Sequence, residues 1–290
     1  MPTIEEVNDD AAFTSSQSGG TTSSSSSSSG SNGSDGSSSA GGEQSGASKV
    51  MTYLMTYKVD AALWASRIGT ILCSILYILP LFGHAASLSC YQRALILNGL
   101  TSALRLHQRM PPLQFNRVYL AQLLLEDSCH NLLYSLIFIN SYPLTFVLTP
   151  VFLFAVLHAS SFTKKLANMV GPDSVPFVRR MVDKVISHQV DILRFIAFDE
   201  ILIMPILVFM MATGRVSLIA PIIYFRFLTF RYASRRNPYC RQIFHELRIR
   251  TEQYCQQPNT PTFLSNFLTK CIGMLSRFAP PEAYQQAPQQ

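Results

Sequence analysis

Residues 128 to 163 form an uncharged run of 36 residues, with no Asp, Glu, Lys or Arg. Most are Leu, Ile, Val, Phe, Tyr or Ala. A helix of about 20 apolar residues crosses the hydrocarbon core of a bilayer. The run is too long for one ordinary span and short for two. Asn140-Ser141-Tyr142-Pro143, a turn-forming cluster, lies near its middle. The pattern predicts a helical hairpin held in a membrane, within an all-α polytopic protein with hairpin-like membrane segments.

The first 48 residues are of another kind. Thr14 to Gly46 is almost entirely Ser and Gly, which bury too little apolar surface to offset the entropy of ordering. A disordered tail is expected over 1–48. It holds Glu5, Glu6, Asp9, Asp10, Asp35 and Glu43 and no basic residue, so the rest of the chain carries +12 rather than the overall +6. Such a basic membrane protein is expected to meet an anionic cytosolic leaflet. Nucleic acid is excluded as a partner because the apolar runs demand lipid first. The first apolar run begins only near Ile68, so an internal segment is expected to direct insertion. The six cysteines form no CxxC pair, which argues against a zinc site. Cys240, Cys255 and Cys271 are candidates for palmitoylation, with plain thiols the simpler reading.

Apolar segments are expected at about 68–88, 128–163, 195–213 and 216–230, inside a membrane-embedded helical region over 49–230. Pro80 and Gly83 make the first a bent span or a tight hairpin, with Trp64 and Tyr77 as interface anchors. Tyr91–Arg109 reads as a helix stopped by Met110-Pro111-Pro112. Pro176–Arg194 reads as an amphipathic helix feeding the third segment, which pairs with the fourth across Gly214-Arg215. Long connections are basic, and Gly83-His84, Asn140–Pro143 and Thr213–Arg215 are nearly free of charge. If basic loops stay cytosolic, several segments enter and leave from one side, as hairpins do.

A basic cytosolic region is expected over 231–280, followed by a disordered tail over 281–290. Arg226 to Arg250 holds seven arginines in 25 residues. Of these, Arg231, Arg235, Arg236 and Arg241 are candidate contacts for a partner or a lipid headgroup. Tyr239–Tyr254 reads as one amphipathic helix. A second begins at Thr260-Pro261. Its apolar positions include Phe263, Phe267, Ile272, Leu275 and Phe278, with Lys270 and Arg277 opposite. The spacing puts the apolar set on one face, which can lie in the headgroup plane or dock on the protein's own helices.

No catalytic motif is present: HExxH, P-loop, GxSxG and GxGxxG are all missing, and neither a cofactor nor a metal is expected. The pairs Glu126-Asp127 and Asp199-Glu200 are candidate intramembrane acids. Acids within a membrane mark ion or proton handling by default. Both pairs are expected in the first turns of their helices, where the helix dipole favours negative charge, so a structural role is preferred. Arg194 and Arg226 are the expected partners of the second pair.

Four separated blocks carry a resemblance. They are Ile223–Thr229 with Arg235–Arg241, Leu100–Arg109, Leu125–His130, and Phe138–Pro143. Over roughly 50–280 the chain resembles the transmembrane protein 33 (Krüppel homolog 2) family of endoplasmic reticulum and nuclear pore membrane proteins. The resemblance implies a multi-pass protein of the endoplasmic reticulum and nuclear envelope. It implies partnership with reticulon-type membrane-shaping proteins and nuclear pore components, and a role in tubular membrane and pore organisation. A second copy of the chain is a further candidate partner. The competing reading is a small ion channel or transporter regulator that uses the acidic pairs.

Asn32-Gly33-Ser34 is the sole glycosylation sequon. A cytosolic tail leaves Asn32 unmodified, so treatment with a glycosidase is expected to leave the protein's gel mobility unchanged. A mobility shift would put the tail in the lumen.

Overall fold

The computed structural model describes residues 46–79, 83–111, 116–170, 175–234 and 238–257, and parts of 262–273. The tails, the Gly171-Pro172-Asp173 turn, Pro80, Arg235, Arg236, Phe267, Cys271, Ile272, Leu275, Arg277 and Phe278 lie outside the described residues. Every regular element among the described residues is a helix. In chain order these are α1 (Gly46–Thr56), α2 (Lys58–Ile78), α3 (His84–Arg109), α4 (Arg117–Leu125) and α5 (Asp127–Phe138). There follow α6 (Thr145–Val170), α7 (Pro176–Ser187), α8 (Gln189–Ala212), α9 (Ile219–Ala233) and α10 (Tyr239–Cys255). Three of them, α2, α6 and α8, are long and apolar enough to cross a membrane.

The helices form three hairpins, α2–α3, α5–α6 and α8–α9. At the first tip Gly83 takes φ 86°, and at the third Gly214 takes φ 71°, both left-handed conformations that suit glycine. The second tip is the Asn140–Pro143 cluster read from sequence. Arg215 at the third tip stacks over the Tyr142 ring at the second, 5.8 Å from its centroid. The opposite ends of the hairpins gather the basic residues. There Lys164 pairs with Asp183 at 2.8 Å and Arg194 with Glu246 at 2.7 Å. The bundle therefore has one basic end and one nearly uncharged end. The chain enters and leaves it at the basic end.

Two expectations need correction. The first helix long and apolar enough to cross a membrane is Lys58–Ile78, where the sequence pattern suggests 68–88. The helix turns Arg67 inward, so the charge does not end it. The 128–163 run does fold into two helices, but they are unequal, with 12 and 26 residues. At 1.5 Å per residue the shorter arm is about 18 Å long, too short to cross alone. Nor do the arms pack chiefly on each other: α5 lies against α3 and α9, and α6 against α2, α7 and α8. A bond from Tyr134 Oη to the Val147 carbonyl, 2.8 Å long, ties them across the turn.

The distribution of polarity is that of a membrane protein. On α2 the buried stripe is Leu63, Arg67, Thr70 and Ser74, while Leu72, Ile75 and Ile78 face outward. Polar groups inside and apolar groups outside fit a solvent of lipid tails, where small and hydroxyl residues mediate helix packing. Gly69 shows how closely α2 meets α3. A Cβ there would stand 3.0 Å from Leu97 Cδ1. The apolar core lies toward the uncharged end and is aromatic. Tyr134, Phe138, Tyr224 and Phe227 meet in tilted and edge-to-face contacts with centroids 4.9 to 6.4 Å apart, and Tyr91 and Leu95 pack beside them.

Replacing Gly69 by Leu should overpack the α2–α3 contact and cost about 1–3 kcal/mol. Thermal unfolding in detergent checks this, with Leu72→Ala on the outward face expected to change the midpoint little.

Candidate functional site: a buried ionic centre and a basic cavity

At the basic end, four helices converge on one arginine. Arg231, on the last turns of α9, is 1% exposed. Its Nε donates to Glu200 Oε2 of α8 at 3.1 Å, and its Nη1 lies 3.5 Å from Asp127 Oδ1 of α5. Its guanidinium sits over the Phe154 ring of α6, 5.2 Å from the centroid. Ser234 Oγ donates to Asp127 at 3.0 Å, and Tyr224 Oη donates to the Glu200 carbonyl at 2.7 Å. His130 Nδ1 also lies 3.7 Å from Asp127 Oδ1. The backbone breaks at Glu126, which is extended, so that Asp127 opens α5 facing this centre. His130 Nε2 lies 2.7 Å from the Leu124 carbonyl and secures the same break.

These positions revise several expectations. Asp199 and Glu200 are not in a first turn. α8 begins at Gln189, about three turns earlier, so both are mid-helix and buried. The partner of Glu200 is Arg231. Arg194 instead bonds Glu246, and Arg226 is exposed. Arg231, expected at a headgroup or partner surface, is the largest fully buried side chain among the described residues. Periodicity could not reveal this, because an Arg-rich run marks a side of the membrane and not the orientation of each residue. Glu126 lies 3.8 Å from Arg109, and Asp127 opens its helix as expected. Arg241 is half-buried. Cys240 is buried on α10, where burial, followed by the charge of Glu200, pushes its thiol up to about 12, a poor site for acylation. Tyr77 packs against Tyr91, and Trp64 Nε1 donates to Thr163 Oγ1 at 3.1 Å, so both anchors bind protein. Phe263 is 81% exposed, and Lys270 is exposed.

Sequence reasoning missed a second polar feature. A cavity of about 30 Å³ opens between α2, α3, α5 and α6. Arg67, Arg105 and His158 line it, with Thr70, Asn98 and Asn131. The signal was present: Arg67, Thr70 and Ser74 recur at helical spacing within an apolar stretch. Among the described residues, no group of three or more His, Cys, Asp or Glu could hold a metal ion.

Removing one member of the ionic centre leaves a buried charge without its counterion. Glu200→Gln should cost about 3–5 kcal/mol, and Glu200→Met with Arg231→Met should recover most of the loss. Denaturant unfolding in micelles measures both. An unaltered midpoint for the single variant would mean the pair is not essential.

Comparison with known proteins places these features in a lineage. The chain is 53% identical to Transmembrane protein 33 of Rattus norvegicus over 235 residues, covering 81% of this chain and 95% of the rat protein. The Homo sapiens protein of that name gives the same identity and coverage. Krueppel homolog 2 of Drosophila melanogaster is 40% identical over 237 residues, covering 82% of this chain and 84% of the fly protein. No solved structure matches. A family model matches residues 42–281, and the chain belongs to the Transmembrane protein 33/Nucleoporin POM33 family of membrane proteins.

Proposed function

We propose that the chain is a non-enzymatic organiser of endoplasmic reticulum and nuclear envelope membranes, acting by hairpin insertion and partner recruitment. The observation that carries this reading is a set of amphipathic faces that the bundle leaves uncovered beside its basic end. On α7, Phe177 is 75% exposed and Met181 is also outward, next to Arg179, Arg180 and Lys184. Beyond α10, Phe263 is equally outward. Apolar side chains beside basic ones suit a helix lying in an anionic headgroup layer. Three hairpins entering from one side add bulk to the bilayer without requiring charged loops on the far side. The nucleoporin in the family's description supports a place near nuclear pores. Reticulon-type proteins and pore components are the proposed partners, and the basic end is the proposed cytosolic face.

The ion-handling alternative keeps one observation. Asp199 is buried in α8, and its Oδ2 has no hydrogen-bond partner. Ion flux through reconstituted protein that vanishes with Asp199→Asn would favour it.

Two measurements test the organiser reading. A tag after residue 290 should be digested by protease in sealed microsomes, and a protected tag would reverse the proposed orientation. A peptide of residues 259–280 should turn helical on anionic vesicles, binding small vesicles more tightly. Changing Phe267 and Ile272 to Asp should abolish binding, while reversing the charge of Lys270 should only weaken it. Equal binding by the double Asp peptide would mean that this face packs on protein.

A further inference from the structure

α3 turns a polar face outward at a level where its hairpin partner α2 is apolar. Three contacts fix the register of the two helices. Ser87 Oγ donates to the Tyr77 carbonyl at 3.0 Å, the Tyr91 and Tyr77 rings lie 5.3 Å apart, and Leu97 closes on Gly69. Arg93 falls between Tyr91 and Leu97, so it stands level with the stretch of α2 between Gly69 and Tyr77. Residues 68–79 hold no charge, and Leu72, Ile75 and Ile78 face outward there. On α3 the outward residues are Ala85, Ser89, Gln92 and Arg93, followed by Ile96 and Leu100. Steps of three and four put all six on one helical face. Arg93 makes no ion pair or hydrogen bond among the described residues. An exposed cation and amide beside an apolar belt are costly in lipid, and such charges are met by a partner group.

The surroundings of Arg93 narrow what meets it. Helical side chains lean toward the N-terminus, so the guanidinium is carried along the face past Ser89. Ala85 and Ser89, four residues apart, are small, and Ser89 Oγ is turned back onto the Ala85 carbonyl. Small residues at this spacing let a second membrane helix approach closely. A headgroup is a poorer fit. Arg93 is nine residues from the start of α3, about 14 Å along the helix, farther than an extended arginine side chain reaches. A second copy of the chain is a poorer fit too. Across a two-fold axis it would set Arg93 against Arg93. Among the described residues the exposed carboxylates Asp60, Asp183 and Asp191 stand on the basic side of the bundle, away from this level. We propose that this face docks a membrane helix of another protein that carries a carboxylate. The carboxylate accepts from the Arg93 guanidinium, the Gln92 amide adds a donor, and Ala85 and Ser89 seat the helix. The surface requires a membrane-embedded bundle and does not depend on the organiser reading.

Energy transfer between the labelled full-length protein and synthetic helices in phosphatidylcholine vesicles tests this. The probes are peptides of about 21 Leu and Ala residues, long enough to span, with Glu, Leu or Lys at one position near the middle. The wild-type protein should bind the Glu peptide about tenfold more tightly than the Leu peptide, a difference of about 1.4 kcal/mol. Arg93→Leu should remove that preference, and Arg93→Glu should move it to the Lys peptide. Ser89→Leu, which keeps the charge and blocks close approach, should weaken binding of the Glu peptide, whereas Leu72→Ala on the outward face of α2 should not. Arg93 is exposed, so its variants are expected to fold, and circular dichroism checks this. Equal binding of the Glu and Leu peptides by the wild-type protein overturns the proposal and leaves Arg93 to the headgroups. A preference for Glu that survives in a helical Arg93→Leu protein overturns the site. Energy transfer between two labelled copies of the protein that is lost in Arg93→Leu overturns the assignment to another protein and makes a second copy the occupant.

Discussion

An arginine cannot lose its charge inside a protein, and Arg231 is enclosed by membrane helices. Everything around it follows from the cost of leaving that charge uncompensated. Glu200 must stand mid-helix on α8, although an acid there is expensive in lipid. α5 must begin where it does, so that Asp127 reaches the same guanidinium. Phe154 must offer a ring face from α6. One cation therefore fixes the mutual register of four helices, and no single hairpin satisfies it alone. Such a pair is weak evidence for net stability, since apolar residues of similar volume can replace it without loss. Its consequence is specificity: hairpins sliding past one another would strand the charge.

The rest of the bundle is built on the opposite plan. Lipid tails are as apolar as Leu, so burying Leu against Leu yields little between helices. Close contact and hydrogen bonds remain as driving forces. Gly69 against Leu97 and Gly99 against Ser135 provide the first. Asn98 Nδ2 to Ser135 Oγ at 2.9 Å, Thr101 to Ser66 at 2.8 Å and Ser87 to the Tyr77 carbonyl at 3.0 Å provide the second. These polar ties are concentrated on α3, which explains its long run of small and hydroxyl residues. It is a helix for other helices and presents fewer large apolar groups to lipid than α2 or α8.

How much of this was legible follows from what each signal reports. Gly83, Asn140–Pro143 and Gly214 were readable as tips because glycine, proline and asparagine act locally. Met110-Pro111 ended α3 for the same reason, and the Tyr239 helix needed only its own periodicity. The orientation of charged residues was not legible. The sequence pattern puts Glu200 in a first helical turn and Arg231 at a surface, where isolated charges beside apolar sequence usually belong. The burial of Glu200 and Arg231 depends on partners far along the chain: Glu200 lies 31 positions from Arg231, and Asp127 lies further still. No window of sequence contains both members. The polar stripe of Arg67, Thr70 and Ser74 was visible, yet a stripe names a buried face and not what it faces.

The ionic centre and the cavity share Phe154, whose ring lies over Arg231 and also lines the space beside Arg67. Its helix, α6, carries Ala155 and His158 into the cavity and reaches α7 through Lys164 and Asp183. Phe154 thus ties the packing of α6 to both features, and Pro150, which removes one backbone hydrogen bond from α6, lies one turn before it on the side toward the uncharged tip.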